Sequence, residues 1–171
     1  MSQRFVRMGE GWGWVPPFYA SQANLIFGAN GRALPCLPQI QVLGMSKIEA
    51  VQPAGAPPGG HYSPGIVHSG VVYVSGQLPF VPGDTERRLG SVAEQAEQAL
   101  RNVESVLQAA GTSLDRVLQM TIYISDGDDW GTVNEVYSRV LGDHRPARAV
   151  VPVSPLHYGA AIEIQAIAAT L

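Results

Sequence analysis

One segment constrains the fold of this chain more than any other. "SVAEQAEQALRNVESVLQAAG", residues 91–111, carries its own start and stop signals. Ser91 is an N-cap residue with Glu94 three positions on, the reciprocal pattern of a capping box, and Gly111 stands where a left-handed residue ends a helix. Between them Val92, Ala96, Ala99, Val103, Val106, Leu107 and Ala110 form a single apolar stripe. A helix that is apolar on one side must lie on something, and its neighbours read as strands. "GIVHSGVVYVSG" predicts two short strands, about 65–68 and 71–75, meeting at Ser69-Gly70. "RVLQMTIYIS" (116–125) predicts a third. A second helix starts at Asp128 or Asp129, buries Val133, Val136, Tyr137, Val140 and Leu141, and ends at Gly142. The strand in "RPARAVVPV" (145–153) follows, and "AAIEIQAIAAT" alternates Ile162 and Ile164 with Glu163 and Gln165. The order ββαβαββ predicts an α+β fold, a mixed sheet with two helices on one face.

Composition bounds the function. With 171 residues, 46% of them hydrophobic and 15% charged, the chain suits one packed domain. No apolar run approaches the ~20 residues of a membrane-spanning helix. Residues 1–44 carry Arg4, Arg7 and Arg32 against Glu10, for a charge of +2, whereas residues 45–171 sum to −5. An acidic body argues against a nucleic-acid backbone as partner. Cys36 is the only cysteine, which rules out an intrachain disulfide and a cysteine-based metal site and fits a cytoplasmic, reducing compartment.

The first 44 residues mix Gly, Pro and aromatics without helical or strand periodicity, and lack the pattern of a signal peptide. They read as an N-terminal extension, with Met45 opening the domain proper (45–171). The alternative is an arm docking on the body through Trp12, Trp14, Phe18 and Tyr19. "PAGAPPGG" (53–60) is a stiff, then flexible, lead-in.

Arg148 raises the functional question. It adjoins a β-branched run that looks built for an interior, where a guanidinium is costly unless paired. Its partner is either a carboxylate of this chain or the carboxylate or phosphate of a ligand. "VYVSGQLP" (72–79), "AEQALRNVESVLQAAGTSLDRVLQMTIYISD" (96–126), "VNEVYSRVL" (133–141), "RPARAVVPV" and "IEIQAIA" (162–168) together resemble the YjgF/RidA family of reactive enamine/imine deaminases. The resemblance runs over residues 62–171, with every segment in the family's order.

It implies a chorismate-mutase-like fold and a homotrimer with ligand sites between subunits. It also implies that Arg148 grips a substrate carboxylate and that Glu163 is associated with the attacking water. Tyr62, Ser75, Gly76 and Asn134 would line the pocket, with Val150 serving through its backbone where many relatives have cysteine. Three further departures stand out: Gly60-His61 replaces the usual Gly-Pro before the tyrosine, Gln165 replaces a second glutamate, and the loop between the second helix and Arg148 is short. No cofactor or metal is implied.

The implied chemistry is hydrolysis of 2-enamine or 2-imino acids, such as 2-aminoacrylate, to 2-keto acids and ammonia. Two parallel hydrogen bonds from Arg148 would fix the carboxylate and hence the plane of C2, and Glu163 would orient or deprotonate water. Plainer readings stand beside these. Arg148 and Glu163 can form a structural ion pair, and Glu163 alone can be a solvated sheet position. Tyr62 can be a packed aromatic, Ser75-Gly76 a strand end, Asn134 a polar helix flank, and "GDTERR" (83–88) a solvated loop. His61, His68, His144 and His157 lack metal-ligand spacing. Alternative functions are a non-catalytic keto-acid-binding regulator, a specialised deaminase acting on an aminomuconate-type compound, and an RNA-cleaving or translation-inhibiting protein, the last opposed by the acidic body.

Overall fold

A computed structural model describes residues 47–55 and 60–171, together with the backbone of residues 5–8 and 11–14. Two compact units make up the chain, Met1–Gly44 and Met45–Leu171. In the first, strands β1 (Phe5–Met8) and β2 (Gly11–Trp14) pair antiparallel, Phe5 opposite Trp14 and Met8 opposite Gly11. This corrects the expectation of a segment without strand periodicity. "GWGW" does alternate with period two, but over only four residues, too few to stand out against its Gly- and Pro-rich surroundings. The proposed docking arm of Trp12, Trp14, Phe18 and Tyr19 lies outside the described residues.

The second unit is built on a six-stranded sheet. Its strands are β3 (Glu49–Val51), β4 (Gly65–His68), β5 (Val71–Gln77), β6 (Val117–Ile124), β7 (Ala147–Pro152) and β8 (Ile162–Ala169). They lie in the order β3-β4-β5-β8-β6-β7. Only β6 and β7 run parallel. β3 is an addition to the expected order, three residues long and therefore below the reach of pattern reading. β4 and β5 turn on Ser69 (φ 50°) and Gly70 (φ 77°), the left-handed pair that a two-residue hairpin of right-twisted strands requires.

Helix α1 (Val92–Ala109) has its capping box closed in both directions. The Ser91 hydroxyl accepts from the Glu94 amide at 3.4 Å, and the Ser91 amide donates to the Glu94 carboxylate at 2.7 Å. Its stripe, including Leu100, Val103 and Leu107, packs on Val72, Ile162 and Ile164 of the sheet. Gln95 is buried in the same interface, its Nε2 donating to Gly90 O and its Oε1 accepting from Ala161 N. That clasp ties the start of α1 to the approach to β8. Helix α2 (Trp130–Leu141) follows a single 3-10 turn, and the Asp126 carboxylate, rather than Asp128 or Asp129, caps that turn. Both helices cover one face of the sheet, so Ile162, Ile164, Ala166 and Ala168 of β8 are buried while Glu163 and Gln165 look the other way.

Candidate functional site

The residues singled out by sequence fall into two groups. Register assigns the faces. Arg148 pairs with buried Met120 and Val150 with buried Ile122, so both lie on the helix side of the sheet. Glu163 pairs with Tyr123, on the opposite face. The structural ion pair between Arg148 and Glu163 is therefore excluded within one chain, and no acid is bridged to Arg148 among the described residues. The interior setting expected for its strand is also corrected. β7 is an edge strand, exposed at every position except half-buried Val150. Of its adjacent valines, Val150 packs against the core and Val151 lies open.

Aromatic rings on α2 hold Arg148. Its guanidinium carbon is 4.5 Å from the centroid of Tyr137 and 5.9 Å from that of Trp130, distances at which a ring face attracts a cation. Asn134 lies between these two in sequence, four residues after Trp130 and three before Tyr137, hence on the same helical face. Arg148 and Val150 thus share the helix side of the edge strand, and Asn134 lies on the α2 face that carries the two rings. The Tyr137 hydroxyl is buried without a hydrogen-bond partner among the described residues. Burial pushes its phenol upward from the ordinary tyrosine value, and the Arg148 charge pulls it partly back. Tyr137 belongs to the core, as its place in the apolar stripe predicts, whereas nothing in the sequence pattern marks Trp130. Their spacing on the helix was visible, but their meeting with β7 was not.

The second group gathers at the far end of β5. Between β5 and β8 the pairing steps from Val74–Ala166 to Gln77–Ile164. Ser75 and Gly76 therefore bulge against the single residue Gln165. The bulge is tied down: Ser75 Oγ donates to Ser63 O at 2.7 Å, and Ser75 N to Pro64 O at 3.0 Å. Gly76, the next residue, leaves room for a neighbour. A Cβ at position 76 would lie 1.8 Å from Glu163 Oε1, so the glutamate rests where any other side chain would stand. Glu163 is half-buried and accepts no hydrogen bond among the described residues. Its neighbour Gln165 is engaged, Oε1 accepting from the Tyr123 hydroxyl at 2.8 Å.

Gly76 and Tyr62 also line a cleft of about 700 Å³ with Phe80, Arg87, Asn102 and Tyr158. Asn102 braces its rim, Nδ2 donating to Leu78 O and Phe80 O. Arg87 and Tyr158 were missed by sequence reading, since each comes from an irregular loop with no period to mark it. On the open face of the sheet, Tyr73, Gln119, Thr121, Gln165 and Ile167 line a shallow hollow of about 190 Å³. Among the described residues, no three His, Cys, Asp or Glu side chains are grouped to hold a metal ion, and no helix is long and apolar enough to cross a membrane.

A six-stranded mixed sheet backed by two helices on one face defines a small α+β class. Within that class, a family model described as Endoribonuclease L-PSP matches residues 53–170. A 2-iminobutanoate/2-iminopropanoate deaminase of Rattus norvegicus is 41% identical over 109 residues, 64% of this chain and 80% of the relative. A RutC family protein of Pyrococcus horikoshii is 40% identical over 111 residues, 65% of this chain and 88% of the relative. Among solved structures, E. coli TdcF with bound serine superposes with a TM-score of 0.67 at 34% identity, over 72% of this chain and 99% of that one. The chain belongs to the Endoribonuclease L-PSP family, also called YjgF/RidA.

Proposed function

We propose that this protein hydrolyses reactive 2-enamine and 2-imino acids to 2-keto acids and ammonia, as a homotrimer whose sites form between copies. The observation that carries the reading is the Arg148 guanidinium, held on two rings at an open sheet edge and unbridged by any described acid. It is presented for a carboxylate from outside. Relatives named 2-iminobutanoate/2-iminopropanoate deaminase at about 40% identity support it. Since Arg148 and Glu163 lie on opposite faces of one sheet, one copy's arginine would meet another copy's glutamate.

The chemistry is short. Arg148 binds the substrate carboxylate through two parallel N–H···O bonds. Glu163 takes a proton from water as its oxygen attacks C2, and the imine nitrogen is protonated as the C=N bond becomes single. The proton on Glu163 is the one the imine nitrogen receives; in the resulting carbinolamine the Glu163 carboxylate then takes the hydroxyl proton and passes it to the amino nitrogen, so that ammonia leaves with the C–N electron pair as the C=O bond of the 2-keto acid forms. Tyr62, Ser75 and Gly76 wall the site on the glutamate side, with Asn134 and the Val150 backbone on the arginine side. No redox group or cofactor enters, and the reducing compartment suggested by the lone Cys36 is the cytoplasm. A binding-only role has one supporting observation, the serine bound in the TdcF relative. RNA cleavage, named in the family's description, is opposed by the charge of −5 on residues 45–171.

The deciding experiment follows 2-aminoacrylate generated in situ. Wild-type protein should accelerate pyruvate and ammonia release, and Arg148→Ala should lose roughly 100-fold or more of that acceleration while retaining its circular dichroism. Wild-type clearance no faster than the spontaneous rate overturns the deaminase reading and leaves keto-acid binding, read by thermal shift.

A further inference from the structure

The loop "GDTERR" is exposed, as expected of a solvated run of charge, and it is also organised. Asp84 accepts from the Glu86 amide at 2.9 Å and the Arg88 amide at 3.3 Å. Arg88 pairs with Glu86, Nε to Oε2 at 2.7 Å. Three of the loop's four charges are thereby engaged within it. Arg87 is the fourth, and it turns away from the loop to lie over the ring of Tyr158, 3.8 Å from guanidinium carbon to ring centroid. No acid is bridged to Arg87 among the described residues. Tyr158 is held in turn, edge-to-face with Phe80 at 5.8 Å.

Backbone geometry sets this pair apart. Arg87 (φ 50°) and Tyr158 (φ 60°) both occupy the left-handed region that non-glycine residues avoid. Apart from the turn residue Ser69, they are the only described non-glycine residues with positive φ. Two residues from distant loops are thus both held in a disfavoured conformation where they stack, and such strain concentrates at ligand sites. The stack stands in the wall of the same cleft as Tyr62 and Gly76. That cleft, at about 700 Å³, falls in the range of about 300–1,000 Å³ that suits drug-sized ligands. A three-carbon imino acid held by a second copy's Arg148 beside Gly76 would leave most of it empty.

We propose that Arg87, aimed by Tyr158, is a specificity residue that binds the distal carboxylate of a dicarboxylic 2-imino acid. The proposal rests on the deaminase reading, in which Tyr62 and Gly76 of this cleft wall the site between copies, and narrows its substrate class. A guanidinium with one face on a ring still offers its N–H edge, the geometry that carboxylates take up bidentately. Leu78, Phe80 and Val81 supply an apolar wall beside it, suited to the carbon chain between two carboxylates. Tyr158 acts through Arg87 and is a positioning residue.

The test compares two imines made in situ by amino-acid oxidases, that of alanine and that of glutamate, with the full-length protein. Wild type should clear the glutamate imine faster relative to the alanine imine. Arg87→Ala should lower that ratio about tenfold, equivalent to about 1.4 kcal/mol. Tyr158→Ala should lower it in the same direction, and the double variant no further than Arg87→Ala alone, because the ring works through the guanidinium. Arg88→Ala, whose side chain is paired within the loop and is absent from the cleft wall, should keep the wild-type ratio. An equal ratio in wild type and Arg87→Ala, with both folded by thermal melting, overturns the proposal. If wild type clears neither imine, the deaminase reading has failed, and calorimetric titration with 2-oxoglutarate and pyruvate decides Arg87 separately. Preferential binding of 2-oxoglutarate that vanishes in Arg87→Ala sustains the distal-carboxylate role; equal binding of the two acids ends it.

Discussion

Tyr137 shows how a single residue links packing to the Arg148 group. Its ring supports the guanidinium, yet its hydroxyl is buried without a partner among the described residues. Burial favours the neutral phenol and raises its pKa above the ordinary 10.0. The sign follows from linkage. The stability due to the neutral buried phenol is fully present below the unfolded value and is lost as pH rises toward the raised folded one. Urea midpoints of wild type should therefore fall more steeply above about pH 10 than those of Tyr137→Phe. Near neutral pH, Tyr137→Phe should be close to neutral in stability, because it removes an unsatisfied group and keeps the ring. Equal alkaline slopes for the two proteins would contradict the burial argument. The sequence marked Arg148 as a charge needing a partner. It did not show that the support is two rings of α2, since that contact crosses from helix to strand.

At the scale of elements, the bulge in β5 and the clasp at the start of α1 carry the clearest predictions. Gly76→Ala places a Cβ on the Glu163 carboxylate. The far end of that side chain can swing aside, so stability should change by less than about 1 kcal/mol, whereas clearance of 2-aminoacrylate should fall at least ~10-fold. A thermal melt and a rate on the same sample distinguish this from general unfolding. Gln95→Leu removes both hydrogen bonds of that buried amide, to the exposed Gly90 carbonyl and the half-buried Ala161 amide, a loss of about 1 kcal/mol readable by urea denaturation. Elements with strong local signals were legible in advance: the capping box of α1, the Ser69-Gly70 turn and the alternation in β8. β3 and the β1–β2 hairpin were not, because strands of three or four residues carry too little pattern. Nor was the bulge, since pairing two residues against one is a property of both strands.

For the whole molecule, the consequence of sheet geometry is that the candidate residues are divided. Arg148, Asn134 and Val150 lie on one face, Glu163 on the other, and Tyr62, Ser75 and Gly76 around the bulge. If one copy's arginine completes another's glutamate, two inactive variants should rescue each other. Arg148→Ala and Glu163→Gln, denatured together in equal amounts and refolded as mixed assemblies, should regain roughly a quarter of wild-type activity, the fraction of sites that receive both intact residues. Activity that stays at the level of the separate variants would rule out a shared site. Sedimentation of the wild type supplies the companion measurement, a trimer mass against a monomer mass.

By itself the sequence determined the order of the principal elements, the apolar faces that join them, the unequal charge of the two parts and the chemical identity of the Arg148 and Glu163 groups. These are local properties, set by periods of two and 3.6 residues, by caps and by side-chain type. Only the tertiary structure decided that β7 lies at an edge, that Arg148 and Glu163 face opposite ways, and that Arg87 reaches the ring of Tyr158. Strand order and register are settled by contacts between distant segments, and one step of register or one exchange of neighbours changes which side chains can meet.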